Sequence, residues 1–253
     1  MIEKRLIPML LMEDELLYKT ERFKNSNYIG DVINAFKMFN DYEVDEIVLL
    51  SYRDSLNNQE IQFNFLKEIL SEAFMPVSYG GAVSTVQDCE KLFYLGVEKI
   101  VINSAAYYQK NLITEIANEF GSQAITISVD YKKSILGNRI FYVKSGTIKT
   151  EYNAVDFARE AIEKGAGEII FQSIDKDGTF NGVDIDFISK IKLNVPTVFA
   201  GGSSNYVDTS YLFSENKYLK ALGSGSLFVY NGTRESIIIN YPTIEDKSKI
   251  LTH

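Results

Sequence analysis

Two aspartates lie where this chain could carry out acid-base chemistry. Asp130 ends the β-rich run AITISVD, and Asp177 follows in the string SIDKDGT, which ends at Thr179. In a parallel fold, carboxylates at the carboxyl ends of buried strands occupy the usual place of catalytic groups. We therefore predict Asp130 as the first catalytic residue and Asp177 as the second. The alternative for Asp130 is a carboxylate that caps the following turn.

Other catalytic chemistries are limited by the rarity of histidine and cysteine. The only histidine, His253, is the last residue, and the only cysteine is Cys89. Ser-His and Cys-His catalysis, an internal disulfide and a common zinc cluster are therefore not expected, and neither a metal nor a cofactor is predicted. Cys89 lies among apolar helix positions and is expected to be a half-buried packing residue. Chemistry would then depend on carboxylates, lysines and backbone donors.

A pair of glycines follows a predicted strand at two places in the chain. Gly80-Gly81 is repeated as Gly201-Gly202, 121 positions later. Such pairs let backbone N–H groups approach an anion, and a following helix N-terminus adds partial positive charge. Either pair alone could be a plain turn, but together they predict two phosphate sites on one face. The residues expected to complete these sites are Asn103, Ser104, Gly225 and Ser226.

The glycine pairs belong to a longer internal repeat. EVDEIVLLS is matched 122 positions later by GAGEIIFQS, so that Glu46 and Ser51 recur as Glu168 and Ser173. Repeated strand-turn-helix units give parallel strands, and two halves of about four units each favour closure. The sequence therefore predicts an α/β protein, a (β/α)8 barrel built as two similar halves. With only 4 prolines and no linker-like segment, residues 1–253 are expected to form one domain.

The composition restricts the partners and the compartment. Hydrophobic residues make up 45% and charged residues 24% of the chain, and the net charge is −8. No apolar run reaches the roughly 18 residues of a membrane span, and the start of the chain does not resemble a leader. We expect a cytoplasmic protein that binds neither membranes nor nucleic acids. A bound anion would need local positive charge.

Two segments are predicted to surround the site. The polar stretch Glu13 to Tyr28 follows strand 1 and is expected to be a long loop that covers the active site. Residues 131–152 contain two alternating runs around Gly146, which predict a β-hairpin after strand 5. The tail from Asn231 has no chemical signature.

Four charged residues precede the apolar runs of predicted strands, at the opposite end of the barrel. They are Arg5, Glu46, Lys99 and Glu168. Their charges should alternate around the amino ends of the strands. The ring could be a salt-bridge cluster that stabilises the barrel, or a gate over a passage.

Several longer strings resemble one known family. KRLIPMLLMEDELLYKT, YGGAVSTVQDCEKLFYLGVEKIVINSAA, FGSQAITISVD and GAGEIIFQSIDKDGT together resemble the cyclase subunit of imidazole glycerol phosphate synthase. The resemblance covers nearly the whole chain. It implies a (β/α)8 barrel whose partner glutaminase docks at the amino face and sends ammonia through the barrel to a bisphosphate substrate.

The resemblance also assigns roles to single residues. The amino-end ring of Arg5, Glu46, Lys99 and Glu168 matches the family's gate, and Glu98 matches a residue that meets the glutaminase. Lys19 matches an active-site lysine, and Asp130 matches one of two catalytic aspartates. The positions that match phosphate sites are Gly81, Asn103, Gly178, Gly202 and Ser226.

The chain departs from the family at three places. Leu11 replaces the other catalytic aspartate, Ser51 replaces an aspartate of strand 2, and the first glycine motif ends in alanine. Leucine cannot transfer a proton, and loss of such a group costs about 10² to 10⁴ in rate. Glu13, two residues after Leu11, is the alternative partner for Asp130. Independent cyclase activity is therefore in question.

Three functions follow from these matches. The strings IPMLL and GSLFVYNG resemble a paralogous branch linked to surface polysaccharides. In that branch a cyclase-like and a glutaminase-like protein supply ammonia to an ATP-dependent sugar amidotransferase, which forms an acetamidino group. The leading hypothesis is thus an ammonia-conducting subunit. The alternatives are a cyclase of histidine biosynthesis and a scaffold that binds a phosphorylated ligand without ammonia flux.

Overall fold

A closed ring of eight parallel strands forms the centre of the protein. The computed structural model describes residues 4–52, 60–203, 205–216, 218–231 and 236–251. Each strand of the ring pairs in parallel with both of its neighbours, and β1 closes the ring by pairing with β12. In ring order the strands are β1 (Arg5–Glu13), β4 (Ile47–Ser51), β5 (Val77–Gly80), β6 (Lys99–Ile102), β7 (Ile125–Lys133), β10 (Glu168–Ser173), β11 (Thr197–Ala200) and β12 (Leu219–Ser224).

Helices follow the strands and form the outer layer. They are α1 (Val32–Asp41), α2 (Phe63–Ser71), α3 (Val86–Tyr94), α4 (Ser104–Tyr108), α5 (Leu112–Phe120), α6 (Ala154–Glu163), α7 (Ile185–Ile188), α8 (Tyr206–Glu215), α9 (Ser226–Val229) and α10 (Ile244–Leu251). This alternation confirms the predicted (β/α)8 barrel. No helix in the described parts of the chain is long and apolar enough to cross a membrane.

Two antiparallel hairpins extend from equivalent strands of the two halves. Strands β2 (Leu16–Glu21) and β3 (Lys24–Asp31) extend β1, whereas β8 (Arg139–Val143) and β9 (Ile148–Asn153) extend β7. The hairpin after β7 was predicted. The prediction of a loop from Glu13 to Tyr28 was wrong, because this segment forms the other hairpin.

The first hairpin lacks the usual turn residues. Asp14 and Glu15 have φ values of +46° and +66°, and Arg22 and Phe23 have values of +53° and +61°. Two consecutive positive φ angles define the hairpin turn that asparagine and glycine favour. Neither turn contains those residues, so the sequence carries no signal for the hairpin.

The side chains of the ring strands form two separate apolar layers. Those that point outward pack against the helices and make the larger core. Cys89 of α3 belongs to this larger core and is fully buried, which is more than the half-burial that was expected. Burial raises the pKa of its thiol to about 12. The inward layer fills the middle of the barrel with Ile7, Met9, Val48, Val101, Ile170, Val198, Ala200 and Ala221. Because side chains alternate along a strand, the inward positions of β1 are Arg5, Ile7, Met9 and Leu11.

A short pair, β13 (Tyr230–Asn231) and β14 (Ser236–Ile237), precedes the last helix. The segment after it crosses to the amino end of the barrel, where Tyr241 contacts Leu6 and Asp45. The tail thus closes part of the amino face.

Candidate functional site

A cavity of about 610 Å³ opens at the carboxyl ends of the strands. This size suits a small-molecule ligand. Its wall comes from both hairpins and from the loops that follow the ring strands. The predicted site residues that line it are Lys19, Gly80, Gly81, Asn103, Ser104, Asp130, Asp177, Gly178, Gly201, Gly202, Gly225 and Ser226.

Asp130 is buried in the wall of this cavity. Burial raises the pKa of its carboxyl from 3.8 to about 7, an effect that the Ser128 hydrogen bond opposes and the nearby Asp177 carboxylate reinforces. The hydroxyl of Ser128 donates to Asp130 Oδ1 over 2.8 Å. A carboxyl with a pKa near 7 can both accept and donate a proton at neutral pH. The sequence analysis missed Ser128, although its spacing of two residues places it on the same strand face.

Leu11 lies in the same cavity and brings no acid-base group to it. Glu13, the alternative partner for Asp130, is not among the described residues that line the cavity. Its carboxylate instead accepts a hydrogen bond of 2.8 Å from the Tyr52 hydroxyl, at the point where β1 turns into the hairpin. The role of Glu13 as a partner for Asp130 stays a prediction, and in this structure its carboxylate is held by Tyr52 at the end of the strand.

Asp177 is buried and surrounded by donors. Lys19 Nζ lies 2.9 Å from its Oδ1, and Thr20 Oγ1 donates to its Oδ2 over 2.9 Å. The side-chain amide of Gln172 is 3.4 Å from Oδ1. Two predicted catalytic residues, Lys19 and Asp177, are thus bound to each other. The pair joins the first hairpin to the loop after β10.

The glycine motifs occupy equivalent places in the two halves. The strand register, however, shifts their alignment by one residue from the predicted match of Gly80 with Gly201. Leu50 pairs with Gly80, whereas the corresponding Gln172 pairs with Ala200. Gly81 therefore corresponds to Gly201. A Cβ on Gly81 would lie 2.3 Å from the Ser51 carbonyl oxygen, and one on Gly201 would lie 2.6 Å from that of Ser173. Both glycines are required by this close approach.

Ala82 then corresponds to Gly202. Ala82 has a φ of +56°, in the left-handed region that residues with a side chain rarely adopt. The first motif therefore keeps the backbone shape of a glycine motif without its last glycine.

The second motif carries a hydroxyl that the sequence analysis missed. Ser203 lines the cavity directly after Gly202 and is 3% exposed, and its Oγ has no hydrogen-bond partner among the residues that the structure describes. Buried polar groups are rarely left unpaired without a reason. A ligand oxygen at this motif would provide the partner. In the sequence, the position of Ser203 directly after two glycines was the signal that could have identified it as a site residue.

Asn103 and Ser104, which were expected to complete the phosphate sites, hydrogen-bond to each other and to nearby backbone. The Asn103 amide donates to the carbonyl oxygens of Ser128 and Tyr142 over 3.0 and 3.3 Å. Ser104 Oγ donates to Asn103 Oδ1 and accepts from the Lys144 backbone N–H. Their predicted role as phosphate donors remains a prediction, and in this structure they hold the second hairpin to the barrel.

Positive charge is concentrated at the cavity despite the acidic chain. The lining lysines are Lys19, Lys24 and Lys144, and the lining carboxylates are Asp130 and Asp177. The lining lysines outnumber the carboxylates, so the cavity carries a net positive charge even with Asp130 ionised, and a larger one when that carboxyl, whose pKa is about 7, is protonated. This local charge would attract an anionic ligand.

At the amino ends of the strands, the four predicted ring residues meet in a closed cycle. Arg5 binds both Glu46 and Glu168. Lys99 Nζ also lies 3.0 Å from each of these two carboxylates. The cycle contains two cations and two anions, and it covers the inward apolar layer.

Both glutamates of the cycle are buried, and the neighbouring cations favour the charged form of Glu168. Burial alone would raise the pKa of Glu168, yet Lys99 and Arg5 hold that pKa below its ordinary value. Ser78 Oγ donates to Glu46 over 2.6 Å, and Thr126 Oγ1 donates to Glu168 over 3.3 Å. Glu98, the predicted partner contact, is exposed beside this cycle.

Fold and site together define a (β/α)8 barrel with a small-molecule cavity at one end and a charged cycle at the other. Residues 5–234 match the model of the family described as "Histidine biosynthesis protein". The chain belongs to this family, and within it to the HisF type, whose members are named as subunits of imidazole glycerol phosphate synthase.

The relatives agree over almost the full length. A Pseudomonas aeruginosa protein named "Putative imidazole glycerol phosphate synthase subunit hisF2" is 40% identical over 96% of this chain and 98% of its own. A Vibrio vulnificus protein named "Putative imidazole glycerol phosphate synthase subunit hisF3" is 37% identical over 99% of this chain and 97% of its own. The "Imidazole glycerol phosphate synthase subunit HisF" of Alkaliphilus metalliredigens is 36% identical over 91% and 92%.

Proposed function

We propose that this protein is the barrel subunit of a glutamine-dependent amidotransferase complex and conducts ammonia from a glutaminase partner at its amino face. The observation that carries the proposal is the closed cycle of Arg5, Glu46, Lys99 and Glu168 over an apolar barrel interior. Ammonia would leave through the cavity at the opposite end, where Leu11 stands in place of an acid-base group.

The barrel interior suits neutral ammonia better than ammonium. Ile7, Val48 and Val101 belong to the layer directly above the cycle. Moving an ammonium ion into such a low-dielectric layer is costly, whereas neutral ammonia loses only hydrogen bonds to water. An apolar passage would therefore carry ammonia without releasing it to bulk water, where it would be protonated.

Of the four residues in the charged cycle, Lys99 is the one best suited to move and open a passage for ammonia. Arg5 holds both glutamates with a planar group that can bind two carboxylates at once. Lys99 reaches the same carboxylates with a flexible four-carbon stem and a single charged nitrogen. Displacement of Lys99 would open the cycle while Arg5 keeps the glutamates paired.

The acceptor in this proposal is the N-acetyl group of a bacterial surface sugar. Conversion to an acetamidino group would occur on a third, ATP-dependent amidotransferase. Two features favour this acceptor over ring closure in the cavity itself: the motifs IPMLL and GSLFVYNG, and the loss of the aspartate at Leu11. A protein that only delivers ammonia needs no acid-base pair.

The test reconstitutes the complex and compares glutamine with free ammonia as the nitrogen source. Lys99→Met and Glu46→Ala should change glutamine-driven product formation several-fold and leave ammonia-driven formation unchanged. Lys37→Met, which removes an exposed lysine 3.5 Å from Glu72, serves as the matched control. Unchanged glutamine-driven formation in both gate variants would refute conduction and would favour a ligand-binding scaffold.

A second candidate, a cyclase of histidine biosynthesis, is favoured by Asp130 alone. Its carboxyl has a pKa of about 7 and lies in a cavity with two glycine motifs. The test supplies the bisphosphate substrate of histidine biosynthesis and free ammonia at high pH, so that no glutaminase is needed. Turnover by the unmodified chain that Asp130→Asn abolishes would establish a cyclase. No turnover, with Leu11→Asp at most weakly active, would exclude it.

A further inference from the structure

A hydrogen-bonded cluster outside the cavity ties the end of the chain to the amino end of the barrel. The Asp45 carboxylate accepts the Leu6 backbone N–H over 3.0 Å and lies 2.6 Å from Lys247 Nζ. The Tyr241 hydroxyl is 2.9 Å from the Leu6 carbonyl oxygen and 3.0 Å from Asp45 Oδ2. Tyr241 is 6% exposed, and its ring packs 5.3 Å from that of Phe228.

This cluster lies directly beside two members of the charged cycle. Leu6 follows Arg5 in the chain, and Asp45 precedes Glu46. Any movement of the backbone at Leu6 or Asp45 therefore displaces one of the two cycle residues. The cluster therefore holds both Arg5 and Glu46 in place through their chain neighbours, Leu6 and Asp45.

On its β12 side the backbone of β1 is paired from Arg5 to Pro8, but on its β4 side this stretch has no strand pairing. The register of β1 with β4 begins at Met9 and Val48, above the level of Leu6 and Asp45. Alternate residues of a parallel strand direct their N–H groups to the same neighbour, so position 8 faces β4 as Leu6 does. Pro8 has no N–H to give to that neighbour. The Asp45 side chain and the Tyr241 hydroxyl replace the missing backbone bonds.

We propose that Tyr241 and Lys247 are positioning residues of the ammonia gate, which is the charged cycle described above. They keep the amino ends of β1 and β4 together, so that Arg5 and Glu46 stay in contact. The proposal rests on the conducting function proposed above. The Tyr241 hydroxyl contacts the Leu6 backbone carbonyl and the Asp45 carboxylate, and Lys247 orients that carboxylate. Neither residue touches ammonia, and their effect reaches the gate through Leu6 and Asp45.

The contact between the amino ends of β1 and β4 can be tested on the purified protein without any partner. Tyr241→Phe keeps the packing on Phe228 but removes the hydroxyl, and Lys247→Met removes the ion pair. Each should speed hydrogen exchange of the Leu6 amide at least about threefold, the effect of losing one buried hydrogen bond. Lys247→Arg should restore slow exchange. Lys249→Met, which removes a lysine of the same helix that pairs with Glu245, should have no effect. Unchanged Leu6 exchange in both variants would overturn the proposal.

The effect on the gate is measured in the reconstituted complex, as the share of glutamine-derived ammonia that escapes to solution. Tyr241→Phe should increase this share about threefold or more and leave ammonia-driven product formation unchanged. If Glu46→Ala increases escape and Tyr241→Phe does not, the positioning role is refuted and conduction stands. If neither variant changes escape, conduction itself fails and the positioning role fails with it.

Discussion

Lys19 and Asp177 form a buried ion pair, with 2.9 Å between Nζ and Oδ1, although 158 positions separate them in the chain. The pair joins the hairpin of the first half to the loop that follows β10 in the second half. It therefore fixes the wall of the cavity from both halves of the barrel. The pair also binds together two residues, Lys19 and Asp177, that the sequence analysis assigned to catalysis.

We predict that Lys19→Met destabilises the protein by about 3 kcal/mol, because it leaves the Asp177 carboxylate buried without its counterion. Thr20 and Gln172 still donate to that carboxylate, so the loss should lie at the lower end for a broken buried pair. Denaturant unfolding measures the change.

The control for this prediction is Lys37→Met, which breaks an exposed pair with Glu72 and should cost less than about 1 kcal/mol. The double variant Lys19→Met with Asp177→Asn should recover much of the lost stability, since no buried charge is left alone. Equal effects of Lys19→Met and Lys37→Met would contradict a buried, energetically important pair.

The ionisation of Asp130 should make stability depend on pH. The folded protein holds this proton up to about pH 7, whereas an ordinary aspartate releases it near 3.8. The protonated carboxyl therefore contributes stability that is complete below about pH 4 and is lost as the pH rises through 7. Asp130→Asn should remove this decline, and above pH 7 it should exceed the parent in stability by up to about 4 kcal/mol.

Ser128→Ala is the matched control for Asp130. It removes the hydrogen bond that favours the charged carboxylate, so the decline in stability should shift to higher pH. Unfolding free energies between pH 4 and 9 test both variants. Identical pH profiles for the parent and Asp130→Asn would show that the carboxyl titrates normally.

The barrel was predictable because its signal is repeated. The two halves share Glu46 with Glu168 and Ser51 with Ser173, and each copy reinforces the other. Buried parallel strands appear as continuous apolar runs, and charged residues just before those runs mark the amino ends. The four members of the cycle could thus be named from strand positions alone.

Features that depend on tertiary contacts were not predictable. The first hairpin has turns at positions 14–15 and 22–23, where Glu15, Arg22 and Phe23 are residue types that do not favour positive φ, and packing imposes their conformation. The role of Tyr241 depends on contact with Asp45, 196 positions away. The pairing of Lys19 with Asp177 likewise requires the closed barrel. Local patterns contain no information about such partners.

Ala82→Gly should stabilise the protein by about 0.5 to 1 kcal/mol. Ala82 has a φ of +56°, which costs an L residue about 1–2 kcal/mol, and glycine avoids this cost. The greater freedom of glycine in the unfolded chain offsets about half of the gain. Ala117→Gly, in the middle of α5, should instead destabilise by about 1 kcal/mol. Thermal or denaturant unfolding distinguishes the two, and a loss of stability in Ala82→Gly would argue against backbone strain.

Ser203→Ala tests whether the second glycine motif binds an anion. The Ser203 hydroxyl is buried in the cavity wall without a partner in the described part of the chain, so its removal should stabilise the free protein by about 1 kcal/mol. If the hydroxyl donates to a bound phosphate, the same change should weaken inorganic phosphate binding about fivefold, the value of one hydrogen bond. Calorimetric titration with phosphate measures the second effect. Ser214→Ala, an exposed serine that donates to the Tyr211 carbonyl oxygen, should alter neither quantity. A more stable variant with unchanged phosphate affinity would mean that the hydroxyl is unpaired but does not face the ligand, and the anion site would then consist of backbone N–H groups alone.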